Sequence, residues 1–335
     1  MGEFDNNLRV DTIFAGKFRR YNHLSVIRQL LWVSVVLQNI KDLFLVGLGV
    51  IQSTVKLLAW RPDVIFTKGG FVCLPVGVAA RLLHIPLVIH DSDAHPGLTN
   101  RILSRWASAI ATGAPLEYYP YPKSISTYVG IPIDQRFRPI SKEEQGTLKE
   151  SWGIRPERPL VVVTGGGLGA KRVNDAAIAI ADQLTAGADV VLISGKAQYE
   201  DIKSLEVAPV FRIVEFVSDM PSLLGAADVV VARAGATTIL ELAALEKPTI
   251  LIPNPKLTGG HQLKNAEVYA AKQAVIVLDE EKLEHQPALL LDGVTQLLQN
   301  PEHAQRMAQA FHEFSLPDAA KNMAQLIIGH IKTQK

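Results

Sequence analysis

The sequence predicts an α/β protein built from two doubly wound domains that face each other. Three observations carry this prediction. Short apolar strands alternate with helical patterns along the chain, and the alternation restarts after a proline-rich stretch near the middle. The chain also has 335 residues, too many for one typical core.

In the first half, Val10–Phe14, Asp63–Thr67, Pro86–His90 and Ser108–Thr112 read as strands. They are continuous apolar runs without polar alternation, as expected of a parallel sheet buried on both faces. Helical patterns separate them: Leu24–Trp60, with a break expected near Lys41 or Gly47, then Leu74–Leu83 and Leu98–Trp106. Prolines then crowd the chain from Pro115 through Pro120 and Pro122 to Pro132 and Pro139. Proline fixes φ and resists helix interiors and central strands, so this stretch reads as a linker. The boundary falls near Pro132–Lys142 and gives domains of residues 1–135 and 136–335, the last helix packing back on the first.

The second half opens with the strand Pro159–Thr164, a glycine loop and the helix Ala170–Leu184. Strands Val190–Ile193, Phe211–Val214, Asp228–Val231 and Thr249–Ile252 follow, with helices between them. From Glu281 onward the pattern is helical, broken at Pro301 and Pro317.

Composition narrows the function. A net charge of +1 gives no bulk attraction for nucleic acid. One cysteine, Cys73, excludes an internal disulfide and a Cys-rich metal site, and fits a reducing, cytoplasmic setting. The polar start, Met1 to Asn7, is not a signal peptide. The apolar region Leu24–Val55 is interrupted by Arg28 and by Lys41-Asp42. Each uncharged piece falls short of the ~20 residues a spanning helix needs, so the region is expected to lie on a membrane surface or to cover the sheet.

Ligands of doubly wound sheets bind beyond the carboxyl ends of the strands, so the post-strand loops are the candidate site. The strongest is Gly165-Gly166-Gly167-Leu168-Gly169 between strand and helix, with Lys171-Arg172 in the helix's first turn. Glycines bring backbone N–H groups close to an anion, and the helix adds its positive end. The bland alternative is a tight turn without a ligand. The spacing departs from G-x-G-x-x-G, and Val190–Ile193 leads into Ser194-Gly195-Lys196 rather than an acidic residue. A diphosphate is therefore favoured over NAD.

A second loop, Arg233-Ala234-Gly235-Ala236-Thr237-Thr238-Ile239-Leu240-Glu241, offers small residues and hydroxyls to phosphate, and Glu241 lies one turn after Thr237. A capped helix with a solvated glutamate is the alternative. A third loop, Gly259-Gly260-His261-Gln262-Leu263-Lys264-Asn265, carries neutral donors and acceptors suited to sugar hydroxyls.

These phrases, in this order, resemble the MurG family of UDP-N-acetylglucosamine transferases. The resemblance runs from Gly16-Lys17-Phe18-Arg19-Arg20 onward through RPDVIFTKGGF (Arg61–Phe71), IPLVIHDSDAHPGLTN (Ile85–Asn100), VGIP (Val129–Pro132), VVVTGGGLGAKRVN (Val161–Asn174), EFVSDM (Glu215–Met220), ADVVVARAGATTILELAA (Ala227–Ala244) and GGHQLKNA (Gly259–Ala266). It implies the GT-B architecture of two Rossmann-like domains. It also implies inverting transfer of GlcNAc from UDP-GlcNAc to the C4 hydroxyl of a polyprenyl-diphosphate-linked MurNAc-pentapeptide, in peptidoglycan synthesis.

Carried onto this chain, the donor site comprises Gly165, Gly166, Gly167, Gly169, Lys171, Ser194, Val217 (backbone, to uracil), Arg233, Gly235, Ala236, Thr237, Thr238, Ile239, Leu240, Glu241 (to ribose), His261, Gln262 and Asn265. The acceptor side comprises Lys68, Gly69, Gly70, Phe71, Asp93, Thr99 and Asn100, and the catalytic candidates are Asp91, Asp93 and His95. UDP-GlcNAc is a substrate, so no cofactor and no metal are implied; Asp91 and Asp93 read as acceptor contacts with metal ligation as the alternative. The implied location is the cytoplasmic face of the cell membrane, as a peripheral protein, with Lys17, Arg19, Arg20 and Arg28 beside the apolar region.

The chain departs from the family in four ways. Lys171 stands where an arginine is usual, which keeps charge but loses the bidentate fork. Asp91 and Asp93 replace a Glu and an Asn, and Phe71 a tyrosine. The family's opening Gly-Gly-Thr-Gly-Gly-His loop is absent, so the first domain is expected to lack its opening β-α units. Two rivals follow: a related enzyme with another lipid acceptor or with epimerase activity, and a UDP-sugar-binding subunit that depends on a partner.

Overall fold

The computed structural model describes residues 10–17, 33–167, 169–256 and 260–331. The Leu24–Trp32 part of the first helical pattern, and Arg19, Arg20, Arg28, Leu168 and Gly259, lie outside the described residues.

Two parallel sheets organise the chain, as the GT-B expectation requires. The first has the order β1 (Ile65–Thr67), β2 (Leu87–Asp91), β3 (Ala109–Thr112), β4 (Ser126–Tyr128), with Ile65 beside Leu87, Val88 beside Ala109 and Ile110 beside Ser126. Every residue of β2 and β3 is buried, which is why their sequences show no polar alternation.

Six strands make the second sheet: β5 (Leu160–Thr164), β6 (Asp189–Ile193), β7 (Phe211–Val214), β8 (Val229–Ala232), β9 (Thr249–Leu251) and β10 (Ile276–Val277), in spatial order β10-β9-β8-β5-β6-β7. All pairings are parallel. Counted from β5, this is the 3-2-1-4-5-6 order of dinucleotide-binding folds, with the topological switch point between β5 and β8. The helix Lys142–Ser151 leads into it. Ser141 caps that helix, its hydroxyl accepting from the Glu144 N–H at 3.1 Å.

Val10–Phe14 is not a strand. Its Phe14 N–H donates to the Gln52 side chain at 2.9 Å, so a helix side chain takes the place of a neighbouring strand. The expected break at Lys41 or Gly47 is also absent, because Val33–Trp60 is one helix of 28 residues. Its buried stripe, Asp42, Val46, Gly49, Ser53 and Leu57, keeps helical spacing and packs toward the helix Cys73–Leu82. By length and composition alone, Val36–Trp60 is apolar enough to cross a membrane, although each uncharged piece is shorter than a span. The expected helix Ala170–Leu184 is two, Lys171–Ala179 and Ala181–Gly187, because Ile180 leaves helical torsion (φ −114, ψ 16) while burying its side chain.

After Pro301, which starts the helix Pro301–His312, the chain returns to the first sheet. Met323 of the helix Ala319–Ile328 packs with Ala111 and Val129. Gly130, at φ +78, leaves room for Leu316, which a Cβ there would meet at 3.0 Å.

Candidate functional site

The loops after β5 and β8 flank the switch point, and both lead into helices without a side-chain cap. The helix Lys171–Ala179 starts at Ala170 and the helix Ala236–Ala244 at Gly235, and neither N-cap makes a side-chain hydrogen bond. Their first-turn N–H groups are thus left for an anion. Within the glycine loop, Gly166 and Gly169 have φ +80 and +78, a conformation L side chains rarely adopt. A Cβ on Gly169 would sit 2.2 Å from the Ser194 carbonyl oxygen, and one on Gly165 would sit 2.4 Å from the Ala170 nitrogen. These glycines let two post-strand loops pack backbone against backbone. Asn174 holds the arrangement from below, donating to the Ser194 carbonyl at 3.0 Å and to Gln198 at 2.8 Å.

Among the expected donor residues, Gly166, Gly167 and Thr237 are exposed, and Gly165, Gly169, Gly235, Ala236, Thr238, Glu241, His261 and Gln262 are half-buried. The Glu241 carboxyl group has no hydrogen-bond partner among the described residues. Burial, and then the charge of Asp134, raise its carboxyl above the ordinary value. Lys171 is exposed and pairs with Asp175 one turn on, at 3.1 Å. Arg172 turns to Glu284 at 3.0 Å.

Other expected contacts are engaged within the protein. Ser194 is fully buried, and its hydroxyl donates to the Val214 carbonyl at 3.1 Å. Arg233 is buried against Glu280 and donates to the Ile252 carbonyl at 3.0 Å. Ile239 and Leu240 are core residues, and Val217 is buried with only its backbone suited to a ligand. Gln262 accepts from the Asn254 N–H at 2.9 Å and so shapes its own loop.

Asn265 joins the two domains. Its amide oxygen accepts from the Ala94 N–H at 2.8 Å, while its nitrogen donates to Asp93 Oδ1 at 3.0 Å and to the Ala234 carbonyl at 3.1 Å. His261 Nδ1 lies 3.4 Å from Asp93 Oδ2. The carboxyl end of β2 is thereby fixed against the carboxyl end of β8, and the acidic segment faces the donor loops.

Under this junction is a cavity of about 320 Å³. It gathers Lys68, Gly69, Gly70, Phe71, Asp91, Asp93, Thr99 and Asn100 from the first domain, with Gly16 and Lys17, and His261 from the second. Every expected acceptor-side residue therefore lines one space. Gly69 and Gly70 both have positive φ (+79 and +85), and Asn100 sits against Gly69. Lys17 and Lys68 bring positive charge to the pocket.

The two carboxylates of Asp91-Ser92-Asp93 are held by different elements. Asp91 is buried and accepts from the Tyr121 hydroxyl; burial pushes its carboxyl up to about 6 against the pull of that bond and of Asn100. Asp93 faces Asn265 and His261. His95 does not line this cavity; burial and the nearby Lys264, His261 and Arg101 lower its pKa. His90 is buried and neutral at ordinary pH, lowered to about 4 by burial, and its Nε2–H donates to the Gly130 carbonyl at 2.9 Å.

Two tyrosines of the proline-rich stretch were not anticipated. Tyr119 donates to the Asp93 carbonyl at 2.7 Å and accepts from the Ala114 N–H at 3.2 Å, and it stacks on Tyr121 with ring centroids 5.8 Å apart. The only sequence signal was aromatic residues in a segment whose prolines marked it as linker.

Comparison with known proteins assigns the architecture. Residues 15–112 match the glycosyltransferase family 28 N-terminal domain and residues 160–323 its C-terminal domain. A UDP-N-acetylglucosamine–N-acetylmuramyl-(pentapeptide) pyrophosphoryl-undecaprenol N-acetylglucosamine transferase of Halalkalibacterium halodurans is 34% identical over 87% of this chain and 80% of its own length. A transferase of the same name from Bacillus anthracis is 32% identical over 96% and 84%. Among solved structures, MurG of Acinetobacter baumannii superposes with a TM-score of 0.70 at 24% identity, over 86% of this chain and 79% of that one. A UDP-GlcNAc 2-epimerase of Neisseria meningitidis reaches 0.61 at 12% identity, over 85% and 81%. The structural likeness speaks for the fold alone.

Proposed function

Because the chain belongs to glycosyltransferase family 28 in both of its domains, we propose that it transfers GlcNAc from UDP-GlcNAc to the C4 hydroxyl of a lipid-diphosphate-linked MurNAc-pentapeptide. The observation that carries this reading is the junction at Asn265. It sets the acceptor-side cavity against the loops at the switch point, where a nucleotide sugar would lie. Residues 1–135 form the acceptor-side domain and residues 136–335 the donor domain.

The diphosphate rests on the N–H groups of the loop Gly165–Gly169 and of the helix start at Gly235–Thr238. Glu241 accepts the ribose hydroxyls, the Val217 backbone meets uracil, and His261 and Gln262 reach the transferred sugar. As the bond from the anomeric carbon to UDP breaks, its electron pair leaves with the diphosphate. The two uncapped helix ends stabilise that charge, and losing one donor of this kind typically costs ~10²–10³ in rate.

The acceptor hydroxyl attacks from the opposite face, which inverts the configuration, and a base takes its proton. Asp93 is placed for this role, at the meeting of the two domains beside His261. Asp91 holds its proton to higher pH and is tied to Tyr121. Lys17, Lys68 and the paired glycines 69 and 70 suit the acceptor's own diphosphate.

The outward stripe of the helix Val33–Trp60, with Leu37, Ile40, Phe44, Ile51, Val55 and Leu58 exposed, seats the protein peripherally on the cytoplasmic membrane face, where the acceptor resides. The product feeds cell-wall synthesis and so cell shape, division and the cell cycle. The test is transfer of labelled GlcNAc to the lipid-linked acceptor, with calorimetric UDP binding on the same sample. Transfer supports the reading; a folded sample that binds no UDP overturns it.

A further inference from the structure

A second concavity, of about 450 Å³, lies on the first domain beside the acceptor cavity and is lined by Leu98, Arg101, Ser104, Arg105, Pro120 and Tyr121 among others. Leu98 lines both spaces, so they adjoin. Their shared wall is also tied chemically, because Tyr121, which borders the second space, holds Asp91, which borders the first. Arg101 lies on the helix Leu98–Leu103 and Arg105 in the turn that follows it, and both line the groove. Both are exposed, neither has an ion-pair partner among the described residues, and no acidic side chain lines the groove. Ser104 keeps its hydroxyl within the turn, donating to the Arg101 carbonyl at 3.1 Å. Two unpaired guanidinium groups beside a substrate cavity favour an anion, and their planar forks match a carboxylate.

We infer that this groove binds the peptide arm of the acceptor through its free carboxylate. The inference rests on the acceptor reading above. An acceptor with a diphosphate and a peptide carries two kinds of anion. The diphosphate is matched by Lys17, Lys68 and the glycine pair, none of which lines the groove. The peptide leaves the same sugar ring that carries the reacting hydroxyl, so it must exit the cavity close to Asp93. Attached through its amino end, it presents a carboxylate at its far end, and Arg101 and Arg105 line the groove that adjoins the cavity at Leu98.

The test compares lipid-linked acceptors whose peptide ends in a free carboxylate or in an amide, using the full chain and the double variant Arg101→Ala/Arg105→Ala. The unaltered chain is expected to show a KM roughly tenfold lower for the free carboxylate. The double variant should lose that preference while keeping its UDP affinity and melting temperature. Arg101→Lys/Arg105→Lys should restore part of it.

Equal KM for the two acceptors with the unaltered chain refutes the inference. So does an equal loss on both acceptors in the variant, which would assign the arginines to the anionic lipid surface. If the unaltered chain transfers to neither acceptor, the proposed reaction fails. Calorimetry with the soluble MurNAc-peptide pair then still decides the groove: a carboxylate preference abolished in the variant supports it, and no preference overturns it.

Discussion

Replacing Asn265 by alanine tests whether the junction between the domains is held by one side chain. Asn265 is 2% exposed and makes three hydrogen bonds. Two of its partners, the Ala94 N–H and the Ala234 carbonyl, belong to buried residues and lose their only side-chain partner among the described residues in the variant. Each buried group left unsatisfied costs about 1–3 kcal/mol. The third partner, Asp93, is 39% exposed at its side chain, so water replaces that bond at little cost. The junction should therefore weaken by about 3 kcal/mol, which lowers protection of the Ala94 amide from hydrogen exchange by ~10²-fold. Exchange measured residue by residue, with a denaturant melt of the same protein, reads both effects. The loss should be confined to residues near Ala94 and Ala234, and kcat should fall as the acceptor cavity leaves the donor loops. Asn265→Asp should be worse than alanine, because a carboxylate would then face both Asp93 and the Ala234 carbonyl. Unchanged Ala94 protection with an unchanged melt in the alanine variant would refute the reasoning.

Gly169→Ala forces a Cβ to 2.2 Å from the Ser194 carbonyl in a left-handed conformation; it should cost about 2–4 kcal/mol in a melt and remove UDP binding in calorimetry. Glu241→Ala should weaken UDP about tenfold and 2′-deoxy-UDP, which keeps only the 3′ hydroxyl for Glu241, by clearly less, so an equal loss on both ligands would remove Glu241 from the 2′ hydroxyl. Asp91→Asn should raise stability near pH 7 by up to about 3 kcal/mol. The folded carboxyl titrates at about 6 instead of its ordinary 3.8, so the native state binds more protons and stability declines as pH rises from about 4 to 6; urea melts across that range should flatten in the variant. Phe44→Glu with Ile51→Glu, at positions 67% and 65% exposed, should abolish sedimentation with anionic vesicles, since each apolar side chain contributes about 1.5–3 kcal/mol on burial, while UDP affinity stays the same.

Reading the fold from sequence worked where burial on both faces left a continuous apolar run. The strands β5, β8 and β9 are such runs, each ending at a small or polar loop. It failed at edges. Ser126–Tyr128 is a polar edge strand and Ile276–Val277 has only two residues, too short to carry any period. Val10–Phe14 has strand chemistry but lies against Gln52, a partner that local pattern does not reveal. The break expected in the first helix rested on Lys41-Asp42, yet Asp42 lies on the buried stripe and the helix continues through it.

The site divides along a similar line. Glycine announces itself, because Gly166, Gly169, Gly69 and Gly70 adopt backbone conformations that few other residues reach, so their clustering after strands was legible. Polar side chains carry no such mark. Ser194, Arg233 and Asn265 have the composition of ligand contacts, and what each one does is decided by a partner 20, 47 and 171 residues away: the Val214 carbonyl, Glu280 and the Ala94 N–H. Tyr119 and Tyr121 show the converse. Their prolines marked a linker, and the linker's own course brings both hydroxyls to the acidic segment that faces the donor loops. The same stretch that separates the two domains in sequence therefore positions the candidate base between them, which ties the placement of Asp93 to the tyrosines as firmly as to Asn265.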